Sequence, residues 1–298
     1  MSLLGGLFER GKGKENKESF GNTANRLAVD IIKELSGSSI KTTKKVIDNL
    51  IVVTSASGGA GASTIVSNVA YMASKKDIRA VVVDLDILYP IQQVYFGVKP
   101  ALEKPDLVSY LLGKNVLGES IETTNVASLM YANNRSLMDY INCKTDLAVL
   151  NFQEALDKLR QLFDIVIIDA PMKIDNILTN TAFYLADSIY LVWDEGIGSL
   201  SNTERIRRNM ALSGIDSYTK MKIILNKRTN IHYSEYPFQK LNTEMVQVLP
   251  FDQDIIESSL RSVIFCHKGV SSSKNANIFY EGIEELTDKI LRNGGYIG

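Results

Sequence analysis

Short apolar runs alternate along the chain with longer segments in which apolar residues recur every three or four positions. The runs are rich in β-branched residues and predict strands; they are NLIVVTS, RAVVVDL, DLAVL, DIVIID, DSIYLVW, KMKIILN and VQVL, which begin at residues 49, 79, 146, 164, 187, 220 and 246. Because these runs are continuously apolar, the strands should be buried on both faces. The pattern therefore predicts an α/β fold with a mainly parallel, doubly wound sheet and helices on both faces.

Two of the helical segments have clear limits. The segment Ser201 to Ser213 is predicted to be a helix that ends before Gly214, a common residue after a helix. A final helix is predicted from about Ala276 to Arg292, and its apolar side carries Ile278, Phe279, Ile283, Leu286 and Ile290. Several acidic residues lie in the same segment, which favours packing on the core over contact with an anionic membrane.

The first 48 residues differ from the rest in being rich in Gly, Lys and Glu. We expect residues 1–48 to form a basic, partly mobile arm with short helices, and residues 49–298 to form the α/β domain. The apolar start LLGGLF leaves open a peripheral membrane or protein contact through residues 1–20, against the alternative of an unstructured terminus.

Composition narrows the class of protein. The chain has 298 residues, 45% hydrophobic and 22% charged, which is typical of a folded soluble domain. A net charge of -1 provides no overall attraction to nucleic acid. Cys143 and Cys266 are far apart in sequence, no apolar run reaches the roughly 18 residues of a membrane span, and the start does not follow the order of a secretory signal. We therefore expect a cytoplasmic protein.

The stretch SASGGAGAST, residues 55–64, connects a predicted strand to a predicted helix. Gly58, Gly59 and Gly61 permit a tight turn, and the backbone N–H groups at the start of the helix would converge on a phosphate. The phosphate-binding loop of nucleotide hydrolases has the pattern GxxxxGK[ST]. Here Ala62 stands at the lysine position and Ser63 retains the hydroxyl, so the loop alone leaves a purely structural turn open.

Three carboxylates follow predicted strands. Asp84 and Asp86 end the second run in RAVVVDLDILYP, and Asp169 ends another in FDIVIIDAP. Carboxyl ends of parallel strands meet at one edge of a sheet, so these side chains should converge on the loop. Such carboxylates suit Mg²⁺ that is held mostly through water and phosphate oxygens.

The loop SGGAGAST, followed by DLDILYP and VIIDAP, resembles the ParA/MinD superfamily of deviant Walker A ATPases, whose usual loop is KGGxGKT. The GGxGAST-like loop is most similar to the CpaE/TadZ group of that superfamily, which is associated with pilus assembly and polar localisation. The resemblance extends from about Asn49 to Arg292 and includes PDLVSYLLGK, LADSIYLVW, ILNK and VLPFDQDIIESSLRS.

The resemblance implies ATP and Mg²⁺ as ligands. It implies that the loop contacts the phosphates through Ser57, Gly58, Gly59, Ala60, Gly61, Ala62, Ser63 and Thr64. It implies a metal site at Ser63, Asp84 and Asp169, with Asp86 as the residue that positions the attacking water. The adenine would be flanked by Asn226, Pro250 and Asp252.

Both lysines of the superfamily loop are missing. Ala62 replaces the phosphate-binding lysine, and Ser57 replaces the signature lysine that reaches across a dimer in the family. Because the backbone N–H groups of the loop and the predicted metal-binding residues remain, we expect the chain to bind ATP with weak or absent hydrolysis, at most as a slow ATPase. Lys173, which follows Asp169 by four residues, is either a replacement cation or a solvated loop lysine.

The resemblance implies a nucleotide-dependent homodimer that recruits pilus or secretion proteins, at a cell pole or on the inner face of the membrane. The CpaE/TadZ group commonly carries a receiver-like N-terminal domain, whereas here we expect only the short arm of residues 1–48 before the α/β domain. A ParA-type partition ATPase that binds DNA is an alternative; its basic surface would be Arg205, Arg207, Arg208, Lys227 and Arg228. The near-neutral charge argues against DNA. A MinD-like positioning ATPase that contacts the membrane is a further alternative.

Overall fold

The computed structural model describes residues 48–99, 101, 103–133, 137–172, 176–229, 242–269 and 271–296. Within these ranges the chain forms one eight-stranded sheet covered by helices on both faces. The predicted α/β class with a mainly parallel, doubly wound sheet is confirmed. The predicted arm at residues 1–48 lies, except for its last residue, outside the described part of the chain.

The strands are, in chain order, β1 Leu50–Ser55, β2 Ala80–Asp84, β3 Glu122–Thr123, β4 Ser128–Met130, β5 Ile165–Ala170, β6 Ser188–Trp193, β7 Met221–Arg228 and β8 Met245–Pro250. Their order across the sheet is β3-β4-β2-β5-β1-β6-β7-β8. β3 runs antiparallel to β4, and the other neighbouring pairs are parallel. Because the chain continues to β2 on one side of β1 and later to β6 on the other, the switch point of the sheet lies at β1.

The helices are α1 Ala62–Lys75, α2 Gln92–Tyr95, α3 Leu107–Leu111, α4 Leu137–Asn142, α5 Asp146–Leu162, α6 Ile177–Leu185, α7 Ile197–Leu212, α8 Ser217–Lys220, α9 Gln253–Leu260, α10 Phe265–Lys268 and α11 Lys274–Asn293, with a 3-10 turn at Leu117–Ser120. Helices α1, α10 and α11 pack on one face of the sheet, and α3, α5, α6 and α7 pack on the other. Among the described helices, none combines the length and the apolar character that a membrane crossing requires.

The two faces of the sheet belong to separate apolar cores. In β1, Leu50 and Val52 pack under one helical layer, whereas Ile51 and Val53 pack under the other, and all four side chains are buried. Side chains of a strand alternate between faces, so a strand that is covered twice needs apolar residues at every position. This requirement explains the continuous apolar runs of the sequence.

The prediction of a strand at DLAVL is wrong, because this run is the first turn of α5. The Thr145 hydroxyl accepts a hydrogen bond from the Ala148 amide and begins the helix. Leu147 and Leu150 are exposed, and the residues that face the core recur at helical spacing: Ala148, Phe152, Ala155, Leu156 and Leu159. A run of four apolar residues is too short for its period to separate strand from helix.

The strands β3 and β4 were not predicted from the sequence, because they have only two and three residues. The helix predicted from Ser201 begins earlier, at Ile197, and is followed by Gly214 with a φ of 72°. The predicted final helix is confirmed as α11, and Phe279, Ile283, Leu286 and Ile290 pack on the sheet. The prediction that Ile278 belongs to this side is wrong, because its side chain is exposed.

The carboxyl ends of β2, β5 and β1 lie side by side at one edge of the sheet, and Asp84 is the register partner of Asp169. The opposite edge is held by an ion pair in which an Arg160 nitrogen donates to both oxygens of Asp187, at 3.0 and 2.9 Å. The fold therefore brings the loop after β1 and the predicted carboxylates to the same edge.

Candidate functional site

The loop after β1 opens directly onto the start of α1. Gly59 and Gly61 adopt φ angles of 80° and 99°, which L-residues rarely take, and the Gly61 carbonyl accepts the first helical hydrogen bond from Ile65. Among the described residues, no side chain caps this helix, and its first turn contains no acidic residue. The N–H groups of the first turn, which carry the positive end of the helix dipole, are therefore available to an anion.

The two positions that lack lysine carry small side chains beside the loop. Ala62 is the first residue of α1 and is buried, and Ser57 is half-buried. The Ser57 hydroxyl lies 3.4 Å from the Ser199 hydroxyl, and both hydrogen-bond Asp194. Partial burial opposes ionisation of Asp194, but these hydrogen bonds outweigh it and lower the pKa of the carboxyl.

Asp84 and Asp169 form a buried carboxylate pair. Burial raises the pKa of both carboxyls, and repulsion by Asp169 adds to the effect on Asp84. The Asp84 oxygens accept backbone hydrogen bonds from Asp86 at 3.0 Å, Ile91 at 2.9 Å and Gln92 at 3.0 Å. Asp84 thus holds the turn that leads from β2 to α2.

Gln92 connects the loop to the carboxylates. Its amide nitrogen donates to the Ser63 carbonyl at 2.9 Å and to Asp169 at 2.7 Å, and its side chain is fully buried. The Gln92 amide oxygen has no hydrogen-bond partner among the described residues. Asp169 is also hydrogen-bonded by the Ser63 side chain. Gln92 was not predicted from the sequence. The only indication there is a pair of glutamines that follows the mostly apolar segment DILYPI.

A cavity of about 170 Å³ lies between the loop and the carboxylates. Its walls include Ser57, Gly58, Gly59, Ala62, Ser63, Asp84, Asp86 and Asp169. Asp86 is half-buried, and its carboxylate accepts a hydrogen bond from the Tyr89 amide at 3.1 Å. Lys173, the sequence-based candidate for a replacement cation, lies outside the described residues.

The donor set of this cavity fits Mg²⁺ bound together with a phosphate. Among the described residues, no group of three or more His, Cys, Asp or Glu side chains forms a complete metal cage. Mg²⁺ usually binds one or two carboxylates and takes its other ligands from water and phosphate. The Ser63 hydroxyl and the Asp169 carboxylate, already in contact, would hold it. Burial raises the pKa of Asp169, and a bound cation would favour the ionised carboxylate.

A second cavity, of about 340 Å³, lies on the other side of the loop. Its walls are Ser55, Gly59, Gly61, Ala62, Ser63, Thr64, Asn226, Lys227, Pro250, Phe251, Asp252, Ile255, Ile256, Ser259 and Leu260. Its apolar part comes from α9 and the segment before it, and a flat aromatic ligand would fit such walls. The structure therefore brings Asn226, Pro250 and Asp252 to the loop, as predicted.

Some of these side chains also have structural partners. The Asn226 amide donates to the Ala60 carbonyl at 2.8 Å and supports the loop from below. The Asp252 carboxylate accepts from the Asp254 amide at 2.8 Å and from the Ser273 hydroxyl, so it caps α9. Asn226 and Asp252 thus shape the cavity as well as line it.

The Thr64 hydroxyl also belongs to a network. It lies 3.2 Å from the Tyr95 hydroxyl, which lies 2.5 Å from the Ser259 hydroxyl. Tyr95 was not predicted from the sequence; it couples the first turn of α1 to α9. The two walls of the larger cavity are therefore joined through Tyr95.

A sequence profile of the family described as AAA domain matches residues 48–212, more than half of the chain. The chain belongs to this family. A curated relative, the septum site-determining protein MinD of Thermotoga maritima, is 24% identical over 254 residues, which cover 83% of this chain and 89% of that protein. The resemblance to the ParA/MinD superfamily is thereby confirmed.

Solved structures of AAA domain relatives share the fold. The septum site-determining protein MinD of Pyrococcus horikoshii, complexed with Mg-ADP, aligns with a TM-score of 0.67 at 19% identity and covers 81% of this chain and 95% of that one. A ParA family ATPase of Chlorobium tepidum aligns with a TM-score of 0.66 at 17% identity and covers 81% and 98%. At these identities the similarity establishes the architecture.

Proposed function

We propose that this chain binds ATP with Mg²⁺ at the loop between β1 and α1, forms a nucleotide-dependent homodimer, and hydrolyses ATP slowly or not at all. One observation carries the proposal. The backbone N–H groups of the loop lie beside Ser63 and Asp169, while Ala62 and Ser57 place no cation at the cavity that they line. The architecture shared with the Mg-ADP complex of MinD supports it.

In this proposal, backbone N–H groups from Gly58 to Thr64 bind the phosphates at the positive end of α1. Ser63 and Asp169 hold the metal, which neutralises phosphate charge when bound, and Gln92 keeps Asp169 facing it. Asp84 acts through its backbone hydrogen bonds and positions the segment that carries Asp86. Asp86, which lines the same cavity, orients the attacking water.

The adenine occupies the apolar part of the larger cavity, beside Asn226, Pro250 and Asp252. This placement follows from the loop, which separates a polar, carboxylate-lined cavity from a cavity walled by α9. Phosphates on the loop would then leave the base on the apolar side and the terminal phosphate on the carboxylate side.

Slow hydrolysis follows from the missing cations. Charge that develops on the phosphates is usually offset by lysine or arginine, and one such arginine is worth about 10³ to 10⁵ in rate. Binding of ATP depends less on these cations, because the backbone N–H donors of the loop and the residues proposed to hold Mg²⁺ are still present. The site would therefore respond to nucleotide mainly through its conformation and dimerisation.

A role in spatial organisation is the cellular part of the proposal. The loop GGAGAST supports a CpaE/TadZ-like factor that localises or assembles a pilus or secretion system through protein contacts. The similarity to MinD proteins supports a second candidate, a MinD-like positioning ATPase. A membrane contact through residues 1–20 would favour the second candidate, and that segment lies outside the described residues.

A DNA-binding role has less support. The guanidinium of Arg207 stacks on the Tyr218 ring at 4.7 Å and donates to Thr243, so it is turned away from the proposed basic surface. Lys227 is also turned inward, toward Gly59. Arg205, Arg208 and Arg228 remain exposed. Three separate cations are fewer than the phosphate contacts that strong DNA binding requires.

The test is a titration of the purified full chain with MgATP, in which binding heat, particle mass and phosphate release are followed together. We expect binding, a doubling of mass, and negligible release. Ser63→Ala should abolish the Mg²⁺ dependence of binding, whereas Ser74→Ala, at the far end of α1, should leave it intact. Absence of binding would overturn the proposal, and rapid release that disappears in Asp86→Ala would overturn its claim of slow hydrolysis.

A further inference from the structure

We propose that Lys227, which lines the larger cavity, supplies a cation to the phosphate nearest the base, in a protein whose loop lacks lysine at position 62. The inference rests on the proposed binding of ATP. It adds a residue from β7, which lies on one side of β1 in the strand order, whereas the carboxylate strands β2 and β5 lie on the other. The Lys227 ammonium donates to the Gly59 carbonyl at 2.6 Å, within the loop itself. A cation thus reaches the phosphate-binding loop from a strand 168 residues later in the sequence.

The end of β7 is shaped so that the side chain points to the loop. Lys227 has a φ of 58°, a conformation that is uncommon outside glycine, and the pairing with β8 shifts register between Leu225 and Arg228. This irregularity interrupts the regular alternation of side chains at residue 227. The neighbouring Asn226 amide donates to the Ala60 carbonyl. Asn226 and Lys227 therefore donate hydrogen bonds to two consecutive carbonyls of the loop.

The stem of Lys227 passes over the glycines. Its Cε lies 4.0 Å from the point where a Cβ on Gly61 would stand. Among the described residues that line the larger cavity, Lys227 carries the only positive charge. The acidic residue of that lining, Asp252, is occupied by the cap of α9. The cavity therefore offers its one cation beside the phosphate loop.

The chemistry of an ammonium group allows both contacts at once. A lysine has three donors, and the Gly59 carbonyl takes one of them. Among the described residues, no further acceptor bonds the Lys227 ammonium, so its other donors can bind a phosphate oxygen. A charge-assisted hydrogen bond is about twice as strong as a neutral one. Lys227 would thus hold the loop in the absence of ligand and bind phosphate in its presence.

The experiment separates these two roles by varying the ligand. Binding of MgATP, MgADP, AMP and adenosine to the full chain is measured by calorimetry for the wild type, Lys227→Met, Lys227→Arg and Arg228→Met. Lys227→Met should weaken the binding of MgATP, MgADP and AMP by about 10- to 100-fold and leave the binding of adenosine unchanged. Lys227→Arg should recover most of the affinity. Arg228→Met removes an exposed charge one residue away and should change none of the affinities.

A second variant protects the test against misfolding. Lys227→Asn removes the charge and tolerates the left-handed backbone, so it should show the same ligand dependence if Lys227→Met fails to fold. Equal weakening of all four ligands, or no weakening in a folded variant, would overturn the role of Lys227 while wild-type binding of MgATP still stands. A wild type that binds no nucleotide would instead overturn the proposed function.

Discussion

Gly61 offers the sharpest test of how the loop is held. A Cβ added at this glycine would lie 2.5 Å from the Asn226 amide nitrogen, well inside contact distance. The residue also has a φ of 99°. Gly61→Ala should therefore strain the backbone and displace the Asn226 side chain from the Ala60 carbonyl, which it reaches at 2.8 Å.

The size of the effect follows from these two consequences. A left-handed conformation costs a non-glycine residue roughly 1 to 2 kcal/mol. Loss of the buried hydrogen bond between Asn226 and Ala60 adds about 1 to 3 kcal/mol. Gly61→Ala should thus lower the free energy of unfolding by about 2 to 5 kcal/mol, against a total of about 5 to 15 kcal/mol for a typical domain.

The assay is urea unfolding followed by circular dichroism, with Gly59→Ala as the matched control. Gly59 also has a positive φ, of 80°, but a Cβ there would meet nothing within 4 Å. Gly59→Ala should therefore show the backbone strain alone. In an Asn226→Ala background, where the amide is absent, Gly61→Ala should cost no more than Gly59→Ala does in the wild type.

Two results would refute this reasoning. If Gly61→Ala and Gly59→Ala destabilise equally in the wild type, the contact with Asn226 carries no energy. If the cost of Gly61→Ala is the same with and without Asn226, the loss arises from the backbone of the loop. Either result would remove Asn226 as the support of the loop.

Three further predictions concern the surroundings of the site. Gln92→Leu keeps the volume but removes two buried hydrogen bonds, so urea unfolding should show a loss of about 2 kcal/mol or more; an unchanged midpoint would refute the bridge to Asp169. Without Mg²⁺, the free energy of unfolding should fall as pH rises from about 4 toward neutral. The pKa values of Asp84 and Asp169 are raised in the folded state, so the folded protein retains protons that the unfolded chain releases. A melting temperature that does not change with pH would contradict this prediction. Arg160→Ala, at the opposite edge, should cost about 1 to 2 kcal/mol in urea unfolding and leave nucleotide affinity unchanged, and altered affinity would show that the edges are coupled.

Much of the fold could be predicted because its physical signal is local. Continuous β-branched runs require burial on both faces, and β1, β2, β5, β6, β7 and β8 follow directly from them. The run at Asp146 was predicted wrongly because four apolar residues suit a strand or one turn of helix, and only packing on the other layers decides between them. The strands β3 and β4 are too short to carry a period.

The sequence by itself determined the α/β class, the glycine loop, and the carboxylates at the ends of β2 and β5, because each depends on residues close together in the chain. Tertiary structure alone decided the partners of that loop. Gln92 reaches Asp169 across 77 residues, and Lys227 reaches Gly59 across 168. Such contacts depend on strand order and on an irregularity at the end of β7, which local sequence patterns do not encode. The lysines missing from the loop are visible in the sequence, whereas the cation that reaches the loop is visible only in the fold.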